Sequence, residues 1–272
     1  MTQWHSEKHL RVNVTPFHLD DVDPNSTPGL DPDSKRATKK SRKGMRQELM
    51  GLQRRLWAEH ERSVLLVLQA LDAGGKDGTI RRVFSGVNPQ GVQVSGFRQP
   101  TPEEASHDYL WRIHQAVPGK GEIGIFNRSH YEDVVATYVT KTINDPERQR
   151  RFAEIRSFED YLDRNGIELV KVFLHISKDE QKQRFQQRVD DPEKQWKFSQ
   201  SDLSTRKKWA QYQDAYSEAI SATSTEESPW FVIPANHRWA RDYSIIILLL
   251  DRLKMMDPQF PKRPSLKGTV IT

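Results

Sequence analysis

Residues Ser63-Val-Leu-Leu-Val-Leu-Gln-Ala-Leu-Asp-Ala-Gly-Gly-Lys-Asp-Gly-Thr-Ile-Arg81 decide how the rest of the chain is read. Val64 to Leu68 form a short, unbroken apolar run, the pattern of a strand buried on both faces. Small residues and glycines follow, and a helical pattern resumes after Gly78. Strand, glycine-rich turn and helix start together cradle phosphate. Loop amides point inward, the helix N-terminus adds partial positive charge, and Lys76 is placed to reach phosphate oxygens. The match to G-x-x-x-x-G-K-[ST] is incomplete. Gly75-Lys76 is present, but Ala70 stands for the first glycine and Asp77 for the Ser/Thr. Without that hydroxyl, Asp72 becomes the candidate to hold Mg2+, or Mn2+ in its place. Ala73, Gly74, Gly75, Asp77, Gly78 and Thr79 are the phosphate-binding candidates around Lys76. A Gly-Gly-Lys turn alone would read as a solvated loop; the strand before it and a second motif downstream favour phosphate.

At 272 residues, 35% hydrophobic and 29% charged, the chain suits one sizeable α/β core without a second independent domain. Its formal charge is +5, and the positive residues are clustered. That clustering suggests a polyanionic partner, whether nucleic acid, an acidic membrane or polyphosphate. The absence of cysteine excludes disulfides, thiolate zinc sites and a thiol nucleophile. No apolar leader opens the chain, and Ile245 to Leu250, the longest apolar run, cannot span a bilayer. The expectation is a soluble, cytoplasmic protein with no membrane partner.

Residues 1–34 read as an irregular arm, rich in Asp and Pro. The run Lys35-Arg-Ala-Thr-Lys-Lys-Ser-Arg-Lys43 reads either as a solvated helix face or as a polyanion contact. Met45, Leu49, Leu52 and Leu56 predict a helix over 44–60 that leads into the first strand. Val92 to Phe97 predicts a second strand that ends in Arg98, at the sheet edge where ligands bind. Glu103 to Ala116 reads as one amphipathic helix.

Glu122 to Phe126 predicts a third strand, followed directly by Asn127-Arg-Ser-His-Tyr-Glu-Asp133. Polar and acidic groups at the tip of a buried strand suit a second phosphate and Mg2+ contact, and Arg128 could neutralise a moving phosphoryl group. His130 alone reads as structural. A helix over 145–164, a strand over 169–176, a helix over 201–222, a strand over 229–234 and a closing helix over 243–255 follow. Strands alternating with helices predict a mostly parallel sheet covered on both faces. Arg184 and Arg188 share one helix face, and Lys194 and Lys197 follow a proline break. This basic segment, about 180–222, reads as a helical lid that would exclude water. Residues 257–272 read as an extended tail.

Four stretches taken together resemble the polyphosphate kinase 2 family over about residues 35–255: Leu71 to Thr79, Gly96 to Thr101, Phe126 to Asp133, and Asp190 to Ser199. The resemblance implies a P-loop kinase-like three-layer α/β sandwich with a helical lid. It implies Mg2+-dependent transfer of the terminal phosphoryl group of inorganic polyphosphate to a nucleotide, and a homo-oligomer, dimer or tetramer. Asp72, Lys76, Asn127 and Arg128 are the catalytic candidates it implies. Arg184, Arg188, Lys194 and Lys197 would hold polyphosphate, and Arg98, Glu132 and Asp133 the nucleotide. Family members often carry Asp-Arg where this chain has Asn127-Arg128. Asn127, with the Gly-Lys-Asp-Gly loop, is similar to the subgroup that phosphorylates AMP as well as ADP. Two other functions compete: an ATP-dependent kinase of a small metabolite, and a non-enzymatic nucleic-acid binder. No recognised nucleic-acid module is present, so a nucleic-acid partner is not expected.

Overall fold

The strand bounds follow the apolar runs closely. In a computed structural model, which describes residues 6–262, they are β1 (Ser63–Gln69), β2 (Val92–Gly96), β3 (Ile123–Asn127), β4 (Ile167–His175) and β5 (Trp230–Pro234). All pair in parallel in the spatial order β2-β3-β1-β4-β5. β1 is central and buried along its whole length. Its period of two sends Val64, Leu66 and Leu68 into one apolar cluster and Leu65 and Val67 into another.

The helices, in chain order, are α1 (Ser6–Leu10), α2 (Lys35–Glu59), α3 (Lys76–Val83), α4 (Pro102–Ala105), α5 (Trp111–Gln115), α6 (Glu132–Val139), α7 (Asp145–Arg164), α8 (Lys178–Asp190), α9 (Gln200–Lys207), α10 (Trp209–Thr223) and α11 (Arg238–Met256). Leu49, Leu52 and Leu56 of α2 pack with Ile245, Leu248 and Leu249 of α11 on one face of the sheet. Val134 and Val135 of α6, Phe152 and Ile155 of α7, and Ile220 of α10 cover the other. Each such side chain contributes roughly 1.5–3 kcal/mol by leaving water. The result is the three-layer α/β architecture of P-loop kinases.

Four sequence expectations need revision. The helix before β1 begins at Lys35, so the basic run is its first turns. Residues 103–116 form α4 and α5 with a break between them. The Thr101–Glu104 capping box closes α4 on itself, and Asp108 Oδ1 accepts from the Leu110 amide at 2.9 Å, diverting backbone groups from a continuous helix. The helix expected over 201–222 is interrupted at Lys208, whose amide bonds the Thr205 carbonyl at 3.0 Å.

The arm is also less irregular than its composition suggests. Residues 1–5 lie outside the described residues, but Arg11 bridges Phe231 in antiparallel sense and the Val12 amide reaches the Trp230 carbonyl at 2.9 Å. Phe17 and Leu19 are buried, with their amides on Ser221 Oγ at 2.8 Å and Ser217 Oγ at 3.0 Å. The arm therefore covers the outer edge of β5, which would otherwise expose unpaired backbone. Residues 257–262 carry no regular structure, and the rest of the expected tail, 263–272, lies outside the described residues.

Candidate active site

The register that pairs Leu68 with Asn127 brings the ends of β1 and β3 to the same edge of the sheet. After β1 the chain turns toward β2, and after β3 it crosses to β4 on the far side of β1. This is the switch point at which open α/β sheets bind ligands. The loop from Ala70 to Gly75 occupies it and runs into α3, whose first N–H groups have no partner within the helix.

The loop is specified tightly. Gly75 has φ +101°, and a Cβ there would lie 2.4 Å from Arg241 Nη1. Gly74 is equally restricted, since its Cβ would meet that of Ala70 at 2.4 Å. From α8, Arg184 donates to the Ala73 and Gly74 carbonyls at 3.0 Å each and to Ala235 O at 2.7 Å. Gln181 Nε2 reaches Asp72 O at 2.9 Å. α8 thus holds the carbonyl side of the loop.

Lys76 is 8% exposed and donates to Ala70 O at 2.9 Å. Burial, reinforced by the Arg128 charge, lowers its pKa to about 8. Arg128 sits in the left-handed region at φ +66°, as does Ala73 at φ +61°. Strained backbone of this kind tends to concentrate where function requires it. Arg128 Nη2 lies 2.7 Å from Asp72 Oδ1, fixing the guanidinium over the loop. Burial raises the Glu132 carboxyl although Arg128 and Lys76 oppose it.

Burial also pushes Asp77 upward, but the Asn127 amide, donating at 2.9 Å, and Lys197 at 3.5 Å hold it below the usual carboxylate range. Asn127 therefore gives Asp77 a hydrogen bond where an aspartate would place a second negative charge. Lys197 reaches Asp77 from the segment between α8 and α9. Arg188 donates to the Lys197 carbonyl at 3.1 Å, and Lys194 pairs with Asp191.

The cleft so formed has a volume of about 1080 Å³ and is lined by eleven basic and three acidic residues. Asp72, Ala73, Gly74, Gly75, Lys76, Asp77, Gly78, Arg98, Asn127, Arg128, Arg184, Arg188, Lys194 and Lys197 are all on its wall. Arg184 is there as a brace, since its nitrogens are engaged by carbonyls and by Glu180. Three sequence candidates are not on that wall. Glu132 lies behind it, beside Arg128 and Lys76. Thr79 is fully buried beneath the loop. Asp133 is buried against Arg112 at 3.3 Å, and Arg112 in turn donates to Arg98 O at 2.8 Å.

Arg81, Arg82, Arg238 and Arg241 were not among the sequence candidates, yet they also line the cleft. Arg241 is buried and thereby lowered to about 10. It pairs with Asp242 at 2.8 Å, and Arg82 pairs with the same carboxylate at 2.5 Å. The rule that singled out Arg98, a basic residue beyond the C-terminal end of a strand, would also have found Arg238 and Arg241 after β5.

The chain has close counterparts. A family model described as polyphosphate kinase 2 matches residues 32–261. The AMP/ADP-polyphosphate phosphotransferase of Meiothermus ruber is 49% identical over 255 residues, covering 94% of this chain and 95% of that one. The ADP-polyphosphate phosphotransferase of Rhodopseudomonas palustris is 42% identical over 228 residues, covering 79% of each. The crystal structure of polyphosphate kinase 2 from Arthrobacter aurescens TC1 matches with a TM-score of 0.90 at 45% identity, covering 94% of this chain and 91% of that one.

Proposed function

The chain belongs to the polyphosphate kinase 2 family, and on that premise we propose that its cleft moves the terminal phosphoryl group of inorganic polyphosphate to AMP and to ADP, forming ADP and ATP. The observation that carries this reading is the excess of eleven basic over three acidic residues around a phosphate-loop lysine. That wall suits a donor and an acceptor that are both polyanions. The enzyme is cytoplasmic, where adenine nucleotides are, and a homo-oligomer.

Transfer is direct and in line, because phosphoryl transfer requires positioning and charge neutralisation rather than a covalent intermediate. Lys76 and the α3 N-terminus neutralise the group in flight. Arg128, held by Asp72, lies between donor and acceptor phosphates. Arg188, Lys194 and Lys197 close over the chain as a lid and keep water out. Asn127 and Asp77 form the acceptor wall, where the neutral amide leaves room for the doubly charged phosphate of AMP.

Among the described residues no group of three acidic or histidine side chains could hold a metal ion. Mg2+ seldom asks for one, taking one or two carboxylates and completing its shell with substrate phosphates and water. Asp72, on the cleft wall, fits that donor set. Mg2+, or Mn2+ in its place, would be held there and would supply charge neutralisation on the phosphate oxygens.

The test is purified protein with Mg2+, long-chain polyphosphate and either AMP or ADP, with products followed by chromatography. ADP and then ATP from AMP, ATP from ADP, and no product under EDTA are expected. Activity with ATP and a metabolite but none with polyphosphate would overturn the reading. ATP from ADP alone would remove the AMP half.

A pH dependence follows from Lys76. In the free enzyme its charge is lost as pH rises through about 8. kcat/KM for polyphosphate should therefore fall about tenfold per unit above that point, while kcat persists to higher pH because the bound polyanion restores the ammonium. A profile of kcat/KM that stays flat well past pH 8 would mean that the charge of Lys76 does not matter to donor capture.

A further inference from the structure

α2 is longer than the sheet it covers. Its 25 residues span about 37 Å, against about 23 Å for the seven residues of β1. It ends just before β1, at the N-terminal edge of the sheet, and runs back along one face with Leu49, Leu52 and Leu56 in the core. The excess length therefore projects past the opposite edge, which is the edge that holds the cleft. The overhang and the turn at its base carry Lys35, Arg36, Lys39, Lys40, Arg42, Lys43 and Arg46, with no carboxylate between Asp33 and Glu48.

Helix stability would not select this composition. Lys35 and Lys39, Arg36 and Lys40, Lys39 and Lys43, and Arg42 and Arg46 are like charges one turn apart, each pair unfavourable. Cations in the first turns also oppose the helix dipole, and the Ser34 side chain supplies no cap. Among the described residues, Arg42 is the one of the seven with an ion pair, to Asp242 at 3.7 Å. Lys35, Arg36, Lys39, Lys40 and Lys43 are exposed.

The Arg42 contact matters for position. Asp242 also holds Arg82 and Arg241 of the cleft wall, and Arg46 reaches the Arg82 carbonyl at 3.5 Å. Lys35 and Lys39 lie on the same helical stripe as Arg42 and Arg46, and Lys43 flanks it. The basic wall of the cleft therefore continues along α2 for on the order of 10 Å beyond Arg42.

We propose that this overhanging half of α2 is a distal subsite for inorganic polyphosphate, gripping the part of the donor chain that extends out of the cleft. It sets affinity for long donors and takes no part in the chemistry. The inference rests on the polyphosphate-dependent activity proposed above.

The variant K35Q/K39Q/K43Q tests it, glutamine having nearly the helix propensity of lysine. KM and kcat are measured with long-chain polyphosphate and with tripolyphosphate, at saturating AMP and Mg2+ and over a range of salt. With the long donor, KM should rise on the order of tenfold and the slope of log KM against log salt should fall by roughly 2. kcat, the tripolyphosphate KM and the thermal midpoint should not fall or rise beyond error, apart from a higher midpoint as like charges are removed. K120Q/R164Q, at the opposite sheet edge, should change none of these.

An equal KM rise for both donors, or none with the long one, overturns the proposal. So does single-stranded RNA binding that is lost in the variant while the long-chain KM stays put. A wild-type protein that uses neither donor instead removes the activity itself, a failure distinct from that of the subsite.

Discussion

Lys76→Ala is expected to lower kcat by about 100- to 1000-fold while leaving the protein folded, the usual cost of removing one preorganised charge contact from a transition state. The side chain is 8% exposed and, among the described residues, bonded to the Ala70 carbonyl, so it is held over the loop before any substrate arrives. Its ammonium is poorly solvated, with Arg128 adding repulsion, and its pKa has fallen from 10.5 to about 8. The folded protein therefore binds fewer protons than the unfolded chain between pH 8 and 10.5. Stability gains over that window, and below it the buried charge costs on the order of 3 kcal/mol.

A charge that destabilises the empty protein is discharged when phosphate oxygens arrive beside it. Substituting alanine removes both the cost and the benefit. The thermal midpoint at neutral pH should hold or rise, while single-turnover transfer from polyphosphate collapses. Turnover near that of wild type would show that the loop amides and Arg128 suffice, and Lys76 would lose its place in the chemistry. A collapse of the midpoint together with kcat would show only that the loop had come apart.

Much of this site was legible in the sequence because its parts are local. β1 reads as a strand since burial on both faces permits no polar residue between Val64 and Leu68. The loop follows immediately, and Asn127 and Arg128 end the next apolar run to join it in the sheet. α7 was legible to the residue, because Asn144 caps it and its apolar face recurs with helical period.

The remainder depends on angles and on distant chain. Glu132 and Asp133 look equivalent as letters, but neighbours on a helix diverge by about 100°; one is coupled to Lys76 and Arg128, the other is turned to Arg112. Arg184 and Arg188 share a stripe, yet one turn separates a residue buried against the loop carbonyls from one that bonds the Lys197 carbonyl. Gln181 and Arg241 contact a loop more than 100 positions away, a juxtaposition made by the topology alone. The arm escaped because Leu10, Val12, Phe17 and Leu19 follow no single period, although all four are buried.

Lys171→Met is expected to destabilise the protein by about 3–5 kcal/mol, a fall in thermal midpoint of roughly 10 °C for a chain of this size. Lys171 and Glu159 are 0% and 1% exposed, on β4 and α7, with Nζ and Oε2 2.6 Å apart. Burial alone would raise Glu159, but Lys171, together with His130 at 3.3 Å, holds its carboxyl below the usual range; burial in turn lowers Lys171. The Tyr131 hydroxyl donates to Glu159 Oε1 at 2.7 Å, and Lys171 also donates to Thr223 O at 2.7 Å. Methionine fills the lysine's volume but leaves a carboxylate in the core with its counter-charge gone. Lys171→Met/Glu159→Gln should recover most of the loss, since no unpaired charge remains. A single variant within a few degrees of wild type would mean that the carboxylate takes up a proton at little cost. The pair also bears on the active site. His130 and Tyr131 are the two residues between Ser129 and Glu132 in the turn that carries Arg128, and the network they join anchors that turn to β4, α7 and α10. With Lys171 lost, the strained backbone at Arg128 loses what holds it, so kcat should fall at temperatures where the variant is still folded.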